Sequence, residues 1–232
     1  MNKNILVIIP VYNPPERFYA LIKEIKKYVA DILVVNDGSE KLDLEAVKKD
    51  CSVIDHIKNA GKGKCLIDAF HWAMANHYQW AVTIDADYQH QPHDLPGFIS
   101  LIEQDNYDII NGTRMKKKSA FPRVKYYSNK ISSWMLSLLI GKKIHDAQCG
   151  FRAYRLSIFD KFFPVYHDFS IETEVLIHAV KHGFRIVEKD IDIEYYPKKE
   201  RVSHFRPVRD FATISVKSLY LIIKLLFRKD RN

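Results

Sequence analysis

Four short aliphatic and β-branched runs punctuate the N-terminal part of the chain, at residues 5–9, 32–35, 52–57 and 81–84. Each is followed by a longer stretch in which apolar residues recur at helical spacing, as with Leu21, Ile22, Ile25 and Val29. The runs are apolar at nearly every position and do not alternate, which predicts strands buried on both faces in a parallel sheet covered by helices. Repetition of strand and helix predicts an α/β fold with a doubly wound, Rossmann-like, mostly parallel central sheet.

In open α/β sheets ligands bind outside the carboxyl ends of the strands, so the residues after each run carry the functional information. They are small and polar: Pro10-Val11-Tyr12-Asn13, Asn36-Asp37-Gly38-Ser39, Asn59-Ala60-Gly61-Lys62-Gly63 and Asp85-Ala86-Asp87. Taken singly, Asn36 to Ser39 is ordinary turn chemistry, and Gly61 with Gly63 could simply relieve a helix start. Their joint placement after successive buried strands points to one site. Leu66 breaks a GxGxxG pattern and no Gly-Lys-Ser/Thr follows at P-loop spacing, which argues against dehydrogenases and P-loop enzymes. The Lys62 ammonium and the first backbone N–H groups of the following helix are still expected to receive a phosphate.

Asp85 and Asp87 stand where a buried strand opens into a polar loop. Mg²⁺ or Mn²⁺ prefers oxygen ligands, and at nucleotide sites one or two carboxylates usually share it with substrate phosphates. Two Asp at i and i+2 suit that task, and the strand-end position is what lifts the pair above a solvated acidic loop. Cys51, Cys65 and Cys149 are odd in number, widely spaced and free of any CxxC pattern, so they predict neither a disulfide framework nor a zinc site.

The formal charge of +8 is concentrated at residues 198–232, where Lys and Arg outnumber Asp and Glu ten to three. Nucleic acid, a phospholipid surface and a phosphorylated substrate would each satisfy it. Nothing resembles a base-reading helix, so nucleic acid is not expected as a partner.

The strand-end segments, with Tyr88-Gln89-His90-Gln91-Pro92 continuing the acidic pair, resemble family 2 glycosyltransferases of GT-A fold over about residues 4–205. Gly112-Thr113-Arg114, the run from Asp146 to Arg152, and Arg201-Val202-Ser203 look most like the polyprenyl-phosphate, or dolichol-phosphate, sugar transferase branch. The resemblance implies a nucleotide-sugar donor, with Pro10, Tyr12 and Asp37 at the nucleoside and Asp37 accepting a hydrogen bond from the base. Asn13, Asn59, Lys62, Asp85 and Ala86 belong to the same donor-binding set, with Asp85 near the ribose and phosphates. Asp87 and Gln89 would hold Mg²⁺ or Mn²⁺, and Arg114 with a basic residue of 201–206 would neutralise the leaving diphosphate. Pro14-Pro15 stands where this branch often has an acidic residue, which leaves base selection open. The Asn111-Gly112-Thr113 sequon reads as part of a phosphate-facing turn rather than a glycosylation site.

The implied reaction inverts the anomeric centre by one in-line displacement. A hydroxyl acceptor would need a general base, for which Asp146, Glu172 and Glu174 are the available carboxylates, the last two being candidates for helix surface instead. A lipid phosphate is already ionised at neutral pH and needs none. The polyprenyl phosphate is the expected acceptor, with transfer to a soluble saccharide or protein hydroxyl, and a non-catalytic nucleotide-sugar-binding protein, as alternatives.

The expected organisation is a GT-A domain at 1–208 and a basic amphipathic extension at 209–232. Two helical stripes support peripheral attachment at the cytoplasmic face of a membrane: Ile131, Trp134, Met135, Leu138 and Leu139, and Phe211, Ile214, Ser215, Ser218, Leu221, Ile222 and Leu225. Docking would bring a lipid phosphate to Arg123, Arg201 and Arg206. Covering the core, or a homodimer contact, is the alternative use of both stripes. No apolar run approaches the roughly 20 residues of a membrane span.

Overall fold

The computed structural model describes residues 4–115, 123–196 and 207–227, without the side chains of 123–125 and 207–208. Seven strands form one sheet: β1 (Ile5–Val11), β2 (Ile32–Asp37), β3 (Ser52–His56), β4 (Trp80–Thr83), β5 (Ile109–Thr113), β6 (Arg152–Arg155) and β7 (Ile186–Asp190). Seven α-helices connect and cover them: α1 (Phe18–Ile25), α2 (Leu44–Lys48), α3 (Lys62–Ala75), α4 (Leu95–Glu103), α5 (Arg123–Ile140), α6 (Ile171–Lys181) and α7 (Pro207–Phe227). The strand order is β3-β2-β1-β4-β6-β5-β7, and only β6 runs antiparallel to its neighbours β4 and β5.

Successive residues of β1 enter opposite cores. Leu6 and Ile8 pack with Leu66 and Phe70 of α3 and Leu176 of α6, while Val7 and Ile9 pack with Phe18 and Leu21 of α1 and Phe98 of α4. Strands without polar–apolar alternation therefore mean two apolar layers, as expected. The run at 52–57 departs from that rule: β3 lies at the sheet edge, its residues are only partly covered, and Ile57 beyond it is fully exposed. An edge strand needs burial on fewer sides.

From β1 the chain winds to one side through β2 and β3 and to the other through β4. The crevice at the carboxyl ends of β1 and β4 is thus the switch point at which such sheets bind ligands. The C-terminal helix is integral to the body: Ile214, Leu221 and Ile222 of α7 are buried, and Lys217 pairs with Asp168 at 2.5 Å. No described helix is long and apolar enough to cross a membrane.

Candidate active site

A cavity of about 410 Å³ opens at that switch point. Pro10 lies near the end of β1 and Tyr12 follows it, Asp37 ends β2, Asn59 and Lys62 precede and open α3, and Asp85, Ala86, Asp87 and Gln89 follow β4; all line the cavity, as does Arg114 after β5. Asn13 is not among the lining residues. Its N–H donates to Ser39 Oγ at 2.9 Å and its Oδ1 accepts from the Glu40 N–H at 3.1 Å, which ties two strand-end turns together.

Asp37 is almost wholly buried, and its carboxylate accepts the N–H groups of Ala60 at 2.7 Å and Gly61 at 3.0 Å. It thereby fixes the loop that enters α3. The phosphate-cradle expectation for that helix is corrected: the N–H groups of Gly63 and Lys64 donate to the His167 carbonyl at 2.9 and 3.3 Å. Gly63 permits this approach, because a Cβ there would strike the backbone of Tyr166 and His167. Lys62 is likewise committed, with Nζ 2.6 Å from both Asp85 Oδ1 and Glu172 Oε1. Burial works against its charge, but the two carboxylates outweigh burial and raise its pKa above the ordinary lysine value.

Burial also opposes ionisation of Asp85, yet Lys62 and the other nearby cationic groups hold its pKa down at about 2. Gly150 makes room for this carboxylate, since a Cβ at that position would lie 2.5 Å from Asp85 Oδ2. Asp87 turns its oxygens to Gln89, accepting from the backbone N–H at 3.0 Å and from Nε2 at 2.5 Å, while its own carbonyl accepts from Arg17 Nε at 2.9 Å. His90, 2 % exposed, borders the cavity with Nδ1 lacking a hydrogen-bond partner, 3.9 Å from Asp85 Oδ2. Burial, ahead of the surrounding charges, lowers its pKa to about 4, so the ring is neutral at pH 7.

Arg114 and Asp146 form a bidentate pair, Nε to Oδ2 at 2.6 Å and Nη2 to Oδ1 at 2.7 Å, and Asn129 Nδ2 adds a bond to Oδ1 at 2.7 Å. Asp146 is wholly buried and lies behind Arg114 rather than on the cavity wall. Burial opposes its charge, but Arg114 overrides it and keeps the pKa below the usual carboxylate range. This geometry suits an anchor for the guanidinium. It does not suit a proton acceptor.

Glu172 and Glu174, read from sequence as available general-base carboxylates with the helix surface as the alternative, are both buried on α6. Glu172 lines the cavity as the second partner of Lys62, whereas Glu174 accepts the N–H groups of Val165 and Tyr166 at 3.0 and 2.9 Å. Ser128, Asn129, Gln148, Phe169 and Ile214 complete the far wall. Only Gln148 of that wall lies in a run singled out from sequence, the one from Asp146 to Arg152; the others come from α5, α7 and a loop with no motif of their own. Arg123 opens α5 but its side chain lies outside the described residues, as do Arg201 and Arg206 altogether.

Residues 6–163 match the family described as glycosyl transferase family 2. The chain belongs to the family 2 glycosyltransferases. It is 27% identical over 202 residues to the polyprenol monophosphomannose synthase of Mycolicibacterium smegmatis, covering 80% of this chain and 76% of that one. It is 29% identical over 218 residues to the UDP-N-acetylglucosamine–dolichyl-phosphate N-acetylglucosaminyltransferase of Methanococcus voltae, covering 84% and 87% of the two chains. The crystal structure of mannosyl-3-phosphoglycerate synthase from Rubrobacter xylanophilus superposes with a TM-score of 0.70 at 15% identity, over 99% of this chain and 76% of that one. This glycosyltransferase has the GT-A architecture, a seven-stranded, mostly parallel sheet between helices, with its cavity at the sheet's carboxyl edge.

Proposed function

We propose that this glycosyltransferase moves a sugar from a nucleotide-sugar donor to a polyprenyl phosphate, working at a membrane surface with Mg²⁺ or Mn²⁺ at Asp87 and Gln89. The observation that carries the acceptor and the location is the inversion of α5. Its inward side mixes the core-packed Leu136 and Ile140 with polar residues: Asn129 and Ser133 are buried, Ser133 Oγ accepts from the Ala147 N–H at 2.9 Å, and Ser137 Oγ accepts from the Ile144 N–H at 2.9 Å. Its outward side carries Ile131, Trp134, Leu138 and Leu139, all exposed. A water-facing helix has the opposite arrangement. On α7 the stripe read from sequence proves to be the core face, with Ile214, Ser218, Leu221 and Ile222 buried. The apolar residues that α7 exposes are instead Val216, Leu219, Tyr220, Ile223, Leu226 and Phe227, beside the exposed Lys224. Both helices also touch the cavity, through Ser128 and Asn129 of α5 and Ile214 of α7, which suits a lipid whose phosphate enters while its chain stays in the bilayer.

Asp87 and Gln89 fit a hard cation. The Gln89 amide nitrogen is committed to Asp87, which sets the Gln89 oxygen and the Asp87 carboxylate side by side as hard oxygen donors, and the Lys62 charge is engaged by Asp85 and Glu172. A divalent ion bound there supplies Lewis-acid stabilisation to the departing diphosphate. Arg114, held rigid by Asp146, places a fixed positive charge on the same wall, where it acts most strongly as negative charge develops. Tyr12 and Pro10 offer a flat apolar wall to the nucleoside. The carboxylates near the far wall are all engaged with cations or backbone N–H groups, and an ionised phosphate acceptor requires no base from them.

The test is a transfer assay with a panel of nucleotide sugars and Mn²⁺, offering polyprenyl phosphate in vesicles or soluble saccharide acceptors. Product on the lipid phosphate alone is the expected result. Product on soluble hydroxyl acceptors alone would refute the lipid reading.

A further inference from the structure

A second cluster of donor atoms lies beside the nucleoside end of the cavity, built from different chemistry. Asp37 Oδ1, His56 Nδ1 and Cys65 Sγ all lie within 4.8 Å of one another. The measured separations are 3.2 Å between Asp37 and His56 and 3.9 Å between His56 and Cys65. A tetrahedral zinc ion with ligands at its usual distances spaces neighbouring donors by about 3.3–3.7 Å, so small shifts bring this trio around one ion. The other ring nitrogen, His56 Nε2, lies 3.0 Å from Asp68 Oδ2, and Asp68 is itself held by Lys64 at 2.5 Å. A carboxylate behind the ring nitrogen that faces away from the ion is the usual orienting device at a metal-bound histidine.

Charge points the same way. Asp37 is 3% exposed, and among the described residues His56 is its one ion-pair partner, since Lys64 serves Asp68. With a hydrogen on Nε2 directed at Asp68, Nδ1 and Asp37 Oδ1 face each other at 3.2 Å as two acceptors, an arrangement that a cation between them relieves. The Cys65 sulfur beside them is a first-rank ligand for a borderline-soft cation. Asp37 and Cys65 both line the cavity, which gives an ion a way in.

We propose that Asp37, His56 and Cys65 form a site for a thiophilic divalent cation of the zinc class, whose occupation weakens donor binding by engaging Asp37. Coordination exchanges a proton for metal: the Cys65 thiol proton leaves to solvent, His56 binds through Nδ1 while the hydrogen on Nε2 stays directed at Asp68, and no oxidation state changes. The site is separate in residues and in ligand hardness from the oxygen pair at Asp87 and Gln89. Its inhibitory consequence rests on the nucleotide-sugar reading above, whereas the binding of the ion does not.

Cobalt(II) reports the site directly, because a cobalt–thiolate bond gives a charge-transfer absorption that oxygen and nitrogen ligands do not. Titration of the metal-free full chain should develop that band with one equivalent. Cys65→Ser should abolish the band, His56→Gln should weaken cobalt binding at least tenfold, and Asp87→Asn should leave the band in place, with circular dichroism confirming each fold. Zinc should then weaken nucleoside diphosphate binding in the presence of Mg²⁺ at least tenfold, reversibly on chelation. A folded wild type without the band, or a band that survives Cys65→Ser, overturns the site. A band accompanied by unchanged nucleotide affinity overturns the regulatory role. Failure of any nucleotide to bind without zinc counts against the donor reading and leaves the metal site standing.

Discussion

The two ends of the cavity are held in different ways. At the strand end each polar group ends or follows a buried strand and is tied to a neighbouring segment: Asp37 to Ala60 and Gly61, Asn13 to Ser39, Asp85 to Lys62. At the far end the wall is made by α5, α6 and α7, whose side chains meet only because the helices pack on one another. The same division runs through the helices themselves. α1 puts Phe18, Leu21, Ile22 and Ile25 into the core and leaves its polar side to water, whereas α5 buries Asn129 and Ser133 along with Leu136 and leaves Ile131, Trp134, Leu138 and Leu139 exposed. One end is a rigid strand-end frame for a polar ligand. The other is a helix pair that leaves aliphatic and aromatic side chains exposed.

The sharpest way to break this contrast is to remove the buried charge that supports the frame. Asp146→Ala would remove the bidentate partner of the largely covered Arg114 guanidinium, and should cost about 3 kcal/mol of unfolding free energy by denaturant titration. A loss within 0.5 kcal/mol would mean that Arg114 finds water or another partner, and that the strand end is looser than its geometry suggests. Asp87→Ala should fold normally, since its partly exposed carboxylate packs little apolar area, yet lower turnover by about 10²–10³, on the scale of a lost transition-state contact. Calorimetry with and without Mn²⁺ should show the metal dependence of nucleotide binding disappear, and metal-dependent affinity equal to wild type would remove Asp87 from the site.

His90 gives the frame a pH signature. Its folded pKa of about 4 lies below the ordinary value of 6.5, so the unfolded chain binds more protons between those values. Stability is then complete above pH 6.5, falls as the pH drops toward 4, and the total loss is on the order of 3 kcal/mol. Urea titrations of the metal-free protein across that window should show the slope in wild type and a flatter one in His90→Gln. Equal slopes in the two proteins would assign the pH dependence elsewhere.

The smallest effect on folding, and the most telling about the far end, is expected from the outward side of α5. Trp134 and Leu138 are 64% and 70% exposed, so changing both to Ser should alter unfolding free energy by no more than about 0.5 kcal/mol per site. If that face enters a bilayer, the pair should weaken sedimentation with anionic vesicles by roughly 2 kcal/mol, or about thirtyfold, and lower transfer to lipid phosphate while nucleotide binding is kept. Unchanged vesicle binding together with a shift in sedimentation coefficient would place a second copy of the chain on this face instead.

Much of this was legible in the chain because it is locally encoded. A strand buried on both faces must be apolar throughout, and the polar residues that follow it must reach the sheet edge, so β1, β2, β4 and the cavity residues from Pro10 to Asp87 could be read in order. What the sequence by itself determined is therefore the α/β layering, the edge at which ligands bind, and the residue types offered there. Tertiary structure alone decided the pairing and the facing. Glu172 looked like a helix-surface carboxylate until α6 packed it against Lys62; the α3 N-terminus looked open until the loop at His167 capped it; and the α7 stripe looked membrane-facing until the core claimed it. Each of these depends on contacts between segments far apart in the chain, and helical periodicity reveals that a face is apolar without revealing what will cover it.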